Sequence, residues 1–196
     1  WTGLSENDTT ISSAIKLMLS QNVRQGIISL EDFHAPSLNF LLVDHKNMVL
    51  KTVGKMPRRS PLHQTQGQMP SLGWKSENNW RGFWGYEANP TIISSPGDIL
   101  GNTNNKITDQ KFPQHVSHFW GDTQRILRWQ KLMQNREVHT RESFIEAQLD
   151  TVSPTARSLL PLVGSELWYS QPMGEVGSKQ RLRFDAISML ASWNGE

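Results

Sequence analysis

The chain has 196 residues, 36% of them hydrophobic and 19% charged, with eight tryptophans and a formal charge of +2. That is the composition of an ordered globular chain long enough to bury a core, not of a disordered one. The basic residues Arg58, Arg59, Arg125, Arg128, Arg181 and Arg183 are scattered among acidic ones, which excludes nucleic acid as a partner. With no cysteine there is neither a disulfide framework nor thiolate chemistry. No apolar run approaches the ~20 residues needed to span a bilayer, so no membrane partner is expected, and no signal-peptide pattern opens the chain. Its first residue is Trp1 rather than methionine, as expected of a processed chain or an excerpt.

In "SENDTTISSAIKLMLSQN", Ser5 or Asp8 caps a predicted helix whose apolar stripe is Ile11, Ala14, Ile15, Met18 and Leu19. In "VRQGIISLEDFHAPS" a second stripe of Val23, Ile27, Leu30 and Phe33 runs until Pro36, weakened by Gly26. The period then changes. Two branched apolar runs, Leu38–Val43 and Met48–Val53, flank the polar "DHKN" and predict a hairpin. Residues 55–80 lack periodicity and are rich in Pro, Gly, Gln and Ser, the mark of a long loop. "NPTIISSPGDILGNTNN" predicts a short strand, a turn at Pro96 and Gly97, and another strand running into the asparagines.

Helices dominate the remainder. "GDTQRILRWQKLMQN" has Asp122 or Thr123 as cap and Ile126, Trp129 and Met133 on one face. "HTRESFIEAQLD" follows Thr140 with Ser143, Phe144, Ala147 and Gln148. "SPTARSLLPLVG" pairs Ser153 as N-cap with Pro154 at the first helical position, carries Ala156, Leu159, Leu160 and Val163, is perturbed by Pro161 and is expected to end at Gly164. Residues 165–179 read as loop. "QRLRFDAISMLASWNGE" closes with a helix bearing Phe184, Ile187, Leu190 and Ala191 on one face. The fold class is α+β, without internal repeats or a linker that would divide residues 1–196.

Three constellations bear on chemistry. "HVSH" sets His115 and His118 at a spacing two metal ligands can share, but no third ligand is near, which favours ordinary surface histidines. "GFWGYE" could stack a sugar or aromatic ligand, although aromatics in such segments mostly pack. "GNTNN" concentrates Asn102, Thr103, Asn104 and Asn105. Turns collect asparagine because it tolerates left-handed angles; a carboxamide aimed at a reacting oxygen is the alternative.

The order of motifs weighs on that choice. "APSLNFLLVD", "VGKMPRR", "WRGFWGYE", "SSPGDILGNTNN", "FWGDTQRILRW", "LDTVSPTARSLLPLV" and "MLASWNG" together resemble, in order, the penicillin acylase family of N-terminal nucleophile amidohydrolases, which includes cephalosporin and acyl-homoserine lactone acylases. The resemblance implies part of a layered α/β/β/α fold with antiparallel strands flanked by helices. It also implies cleavage of the amide of an acylated amine. In this family a serine exposed by self-cleavage attacks, and its own α-amino group, titrating near ~8, serves as base. By the same resemblance Asn104 corresponds to the oxyanion-hole asparagine and Arg125 to an arginine that supports the site.

What the resemblance implies about the rest of the protein is equally specific. The nucleophile is expected upstream of Trp1, and the family continues beyond Trp193, Asn194 and Gly195. The chain is therefore expected to be an interior fragment of a β chain, silent alone, with an α chain and the remainder of the β chain as partners and the periplasm as its compartment. Some members bind calcium. Matching the family's acidic ligand falls near Val116, so no ligand carries over and no cofactor is assigned. The alternative reading is a noncatalytic scaffold whose contact surface is the aromatic segment 80–86.

Overall fold

The computed structural model describes every residue except 96, 135 and 169–172, and for 166–168 the backbone alone. Its contacts divide the chain into two compact units, Trp1–Gly121 and Asp122–Glu196.

In the first unit, helices α1 (Thr10–Met18) and α2 (Val23–Ser29) precede an antiparallel sheet of β1 (Leu38–Val43), β2 (Met48–Val53) and β3 (Thr91–Ile93), in the order β1-β2-β3. The hairpin bounds are those the sequence predicts. Its turn is organised by Asp44, whose Oδ1 accepts from the N–H groups of Lys46 and Asn47, both at 2.8 Å, while Oδ2 accepts from the Val23 N–H at 2.9 Å. One carboxylate thus closes the turn and meets the positive end of α2.

Strand alternation gives the sheet two different faces. Phe40 and Leu42 of β1 and Val53 of β2 pack with Leu17, Leu30, Phe33 and Tyr86 in the core, where Leu30 and Val53 are wholly buried. Asn39, Leu41, Leu50 and Thr52 occupy the opposite face, Asn39 across from Thr52 and Leu41 across from Leu50. At Gly26 the α2 backbone comes so close that a Cβ would lie 3.2 Å from Leu42 Cδ1 and 3.4 Å from Leu17 Cδ1. The glycine that weakens the helix in sequence is what lets it dock. Lys51 also points toward the core side, 4% exposed, with Nζ donating to Tyr86 O (3.1 Å), Asn89 O (3.0 Å) and Thr91 Oγ1 (2.8 Å).

The stripe expected inside on α1 is instead outside: Ile11, Ile15, Met18 and Leu19 are all exposed. Polar tethers decide its rotation. Ser13 is wholly buried and its hydroxyl donates to Ser29 O, while Thr10 Oγ1 donates to Ala35 O at 3.0 Å and accepts from the Ala35 N–H at 3.0 Å. Thr10, Ser13 and Leu17 therefore face inward. The strand expected to run into the asparagines is not formed among the described residues; the Asp98 N–H instead turns back to Ser95 O at 3.0 Å, and Asp98 Oδ2 accepts from the Ser95 N–H at 2.6 Å. Of the expected Pro-Gly turn, Gly97 has φ +93 and Pro96 lies outside the described residues. The long loop forms as expected, organised by Asn78, which accepts from the Gln64 N–H (3.1 Å) and donates to Leu72 O (3.0 Å).

The second unit is helical: α3 (Gln124–Gln134), α4 (Arg141–Gln148), α5 (Pro154–Trp168) and α6 (Lys179–Ser192). Thr140 and Ser143 form a reciprocal capping box on α4, and Ser153 Oγ caps α5 at the Ala156 N–H, 3.2 Å. On α3, Met133 is buried. Helix α5 passes through Pro161 and Gly164 to Trp168 rather than ending at the glycine, since glycine weakens a helix without removing its hydrogen bonds. Of the segment expected as loop, residues 169–172 lie outside the described ones. On α6, Phe184 and Ile187 are half-buried, while Leu190 and Ala191 are exposed. Arg128 of α3 meets Asp150 in a two-pronged pair, Nε to Oδ2 at 3.0 Å.

The bonds Asp44 accepts, that from Val23 foremost, hold its pKa down at about 2 against an ordinary 3.8. Its contribution to stability is therefore complete above the ordinary value and is lost as pH falls through the folded one. Asp44→Ala is expected to lower the urea midpoint at neutral pH, with the gap to the native protein closing between pH 3.8 and about 2. A gap that is unchanged across that range would contradict this account.

Candidate functional site

The face of the sheet turned away from the helices forms one wall of a cleft of about 650 Å³ within the first unit. Polar groups on that wall come from Asn39, Thr52, Asn102 and Asn104; Leu41, Leu50, Ile107 and Phe119 give it an apolar flank. No ionisable side chain among the described residues lines it.

The asparagine turn stands on the sheet through a relay. Thr52 Oγ1 donates to Asn39 Oδ1 at 2.8 Å, Asn39 Nδ2 donates to Asn102 Oδ1 at 3.3 Å, and that same oxygen accepts from the Asn104 N–H at 3.1 Å. Asn105 Oδ1 accepts from the Thr103 N–H at 3.1 Å and from Asn102 Nδ2 at 3.3 Å. Asn102 and Asn105 thus use their side chains to hold the turn. Asn104 sits at its apex with φ +68, a left-handed conformation that asparagine adopts more readily than most residues. It is exposed and lines the cleft. The turn reading of "GNTNN" thus describes Asn102 and Asn105 through their side chains and Asn104 through its backbone angle.

Gly121 fastens the far side of this turn. Its N–H donates to Asn104 O at 3.0 Å, and a Cβ there would come within 2.9 Å of the same oxygen. Sequence reasoning passes over Gly121, Asn39 and Thr52. The one signal was Asn39 itself, an amide inside the apolar run "LNFLLV", where a strand has little use for it unless it bonds something.

Arg125 belongs to the second unit, near the start of α3, and is exposed. The histidine pair of "HVSH" is close, ring centroids 4.0 Å apart, but His118 Nδ1 meets Gln68 Nε2 (3.3 Å) and its Nε2 meets Gln66 O (3.1 Å). No group of three or more His, Cys, Asp or Glu gathers among the described residues, and Val116 has no side-chain oxygen for a hard cation such as calcium. In "GFWGYE", Tyr86 joins the core and donates to Ile27 O at 3.1 Å; Phe83 is partly exposed, edge-on to Trp80.

The cleft can therefore donate hydrogen bonds from neutral groups, and it carries hydroxyls without a base. Ser117 Oγ donates to Phe119 O at 3.1 Å, and Thr52 is spent on Asn39. Such a surface suits an uncharged carbonyl that gains charge during reaction.

A family model described as penicillin amidase matches residues 1–196. Over 80 residues, 38% of this chain and 10% of the relative, the sequence is 31% identical to penicillin acylase 2 proenzyme of Pseudomonas sp. (strain SE83). A thermostable penicillin G acylase from Alcaligenes faecalis shares the fold, with TM-score 0.65 and 17% identity over 95% of this chain and 32% of that one. The chain thus spans about a third of the solved relative's length, and its matched part a tenth of the curated one's.

Because the space beyond Gly121 is filled by Asn104, Gly121→Ala is expected to force the turn off the cleft wall. The expected loss of stability is about 1–3 kcal/mol in urea denaturation, with faster hydrogen exchange at the amide of residue 121. Native exchange there would mean that the contact is not a constraint.

Proposed function

The chain belongs to the penicillin amidase family, and from that premise we propose that it forms one wall of an amidohydrolase site acting on acylated amines of the penicillin, cephalosporin or acyl-homoserine lactone type. The observation that carries the reading is Asn104 at the apex of a left-handed turn on a cleft wall without ionisable groups. In this proposal the hydroxyl of an N-terminal serine, supplied by another part of the polypeptide, attacks the substrate's carbonyl carbon. The serine's α-amino group takes the hydroxyl proton, and the carbonyl π pair moves onto oxygen. Asn104 donates its carboxamide N–H to that oxyanion. As the C–N bond breaks, the proton passes to the leaving amine, and water then releases the acyl group as a carboxylic acid.

A neutral amide suits the task because its dipole gains most where charge develops and binds the neutral ground state only weakly. The relay from Thr52 through Asn39 and Asn102 ties the Asn104 backbone, from which that donor projects, to the sheet, which limits how far the donor has to move as charge appears. The apolar flank of Leu41, Leu50, Ile107 and Phe119 supports an acyl group that is non-polar near the reacting carbonyl. Arg125 is assigned a supporting, positioning role. The α chain, the remainder of the β chain and export to the periplasm belong to the same proposal; no helix among the described residues is long and apolar enough to cross a membrane.

In the full-length protein, Asn104→Ala is expected to lower turnover of a chromogenic phenylacetyl or fatty-acyl anilide by roughly 100-fold or more, while stability falls only by the ~1 kcal/mol that alanine costs in a left-handed turn. Arg125→Ala should cost less turnover. Equal loss of activity and stability in Asn104→Ala would make Asn104 a turn residue, and absence of hydrolysis by the unsubstituted protein would favour the noncatalytic scaffold.

A further inference from the structure

Two motifs that amide hydrolysis leaves unused meet at one place in the first unit. Trp84 of "GFWGYE" and His115 of "HVSH" line a small cavity of about 30 Å³ together with Arg59. On the same measure one water needs ~10–15 Å³, so the cavity has room for a small group of two or three heavy atoms. Each of the two rings buries a nitrogen that has no hydrogen-bond partner among the described residues, Nε1 of Trp84 and Nδ1 of His115. His115 is only 9% exposed. An indole N–H can only donate, and leaving a buried donor unpaired costs about 1–3 kcal/mol. An acceptor in the cavity would meet the indole donor, and would meet Nδ1 of His115 as well in the tautomer that carries its proton there.

Arg59 supplies the charge. It is half-buried, and its guanidinium makes no hydrogen bond or ion pair among the described residues. It lies against Gly67, where a Cβ would be 3.3 Å from Nε. No carboxylate lines the cavity, and the remaining lining side chains are neutral. A cation is therefore disfavoured, whereas an anion would meet one positive charge and at least one buried donor.

We propose that this cavity binds a small free carboxylate, one oxygen taken by the Arg59 fork and the other by the Trp84 N–H, with Nδ1 of His115 as a further donor. A guanidinium matches a carboxylate in geometry as well as charge. Val116 lines both this cavity and the cleft, so the two are neighbours, but the proposal does not depend on hydrolysis. Burial first, then His118 and Arg59, hold the His115 pKa below its ordinary value. Those are the charged and titratable groups that act on it, and a bound anion opposes the effect of both. Binding should raise that pKa, and by linkage affinity should rise as pH falls toward the His115 range.

The test uses the full-length protein labelled with fluorotryptophan, the Trp84 fluorine resonance being assigned by its loss in Trp84→Phe. Sodium acetate is titrated against sodium chloride at matched ionic strength. Acetate is expected to move the Trp84 resonance saturably where chloride does not, more tightly at lower pH, and Arg59→Gln to weaken acetate about tenfold or more. The other tryptophan resonances report whether that variant is folded; if it is not, Arg59→Lys is expected to fold and to weaken acetate severalfold by losing the fork. No saturable movement, the same movement with chloride, or unaltered acetate affinity in the folded Arg59 variant would overturn the proposal, leaving a cavity that holds only water.

Discussion

One buried ammonium governs how the first unit is assembled. Lys51 sits in the middle of the central strand with almost no access to solvent, and an ammonium there has to place all three protons on acceptors. It finds them on residues 86, 89 and 91, with the Tyr86 ring 4.4 Å from Nζ on a further side. Burial pulls its pKa down, and Glu87 pulls the other way. The loop that returns to the sheet cannot leave without stranding that charge. Asn89 strengthens the seam by donating to Gly54 O at 3.0 Å. Strand β3 starts at Thr91, directly opposite Lys51, so the strand that leads toward the asparagine turn is launched from this seam.

The same strand shows why register matters. Lys51 and Val53 serve the helix-covered face, while Leu50 and Thr52 serve the cleft. Because side chains alternate, a slip of one residue would put the ammonium in the cleft and the threonine among the core apolar groups. Pairing of Asn39 with Thr52 and of Phe40 with Lys51 is thus a single arrangement that satisfies both faces. Asp44 supports it from the hairpin end by fixing turn and helix together.

Local chemistry made some of this readable and hid the rest. The hairpin was legible to the residue, because branched runs around a polar tetrapeptide leave few alternatives. Ser153 with Pro154 and Thr140 with Ser143 announced their helices, since capping is a contact between near neighbours. The orientation of α1 was not legible: hydrophobic count favoured Ile11 and Met18, while the deciding bonds join Thr10 and Ser13 to residues 29 and 35. At the candidate site, composition marked the turn, and the resemblance, not spacing, singled out Asn104 and Arg125, which fall in different units. Gly121 could not be seen, as its reason is a close approach to a residue 17 positions earlier. Arg59, Trp84 and His115 share no local pattern at all; only tertiary folding brings them to one cavity.

Val116 adopts φ +62, an angle at which a β-branched side chain crowds its own backbone, with a penalty on the order of 1–3 kcal/mol. This uncomfortable residue is the partition between cleft and cavity. Glycine, which has no Cβ, would lift that penalty and at the same time take away the isopropyl group that both spaces share as lining.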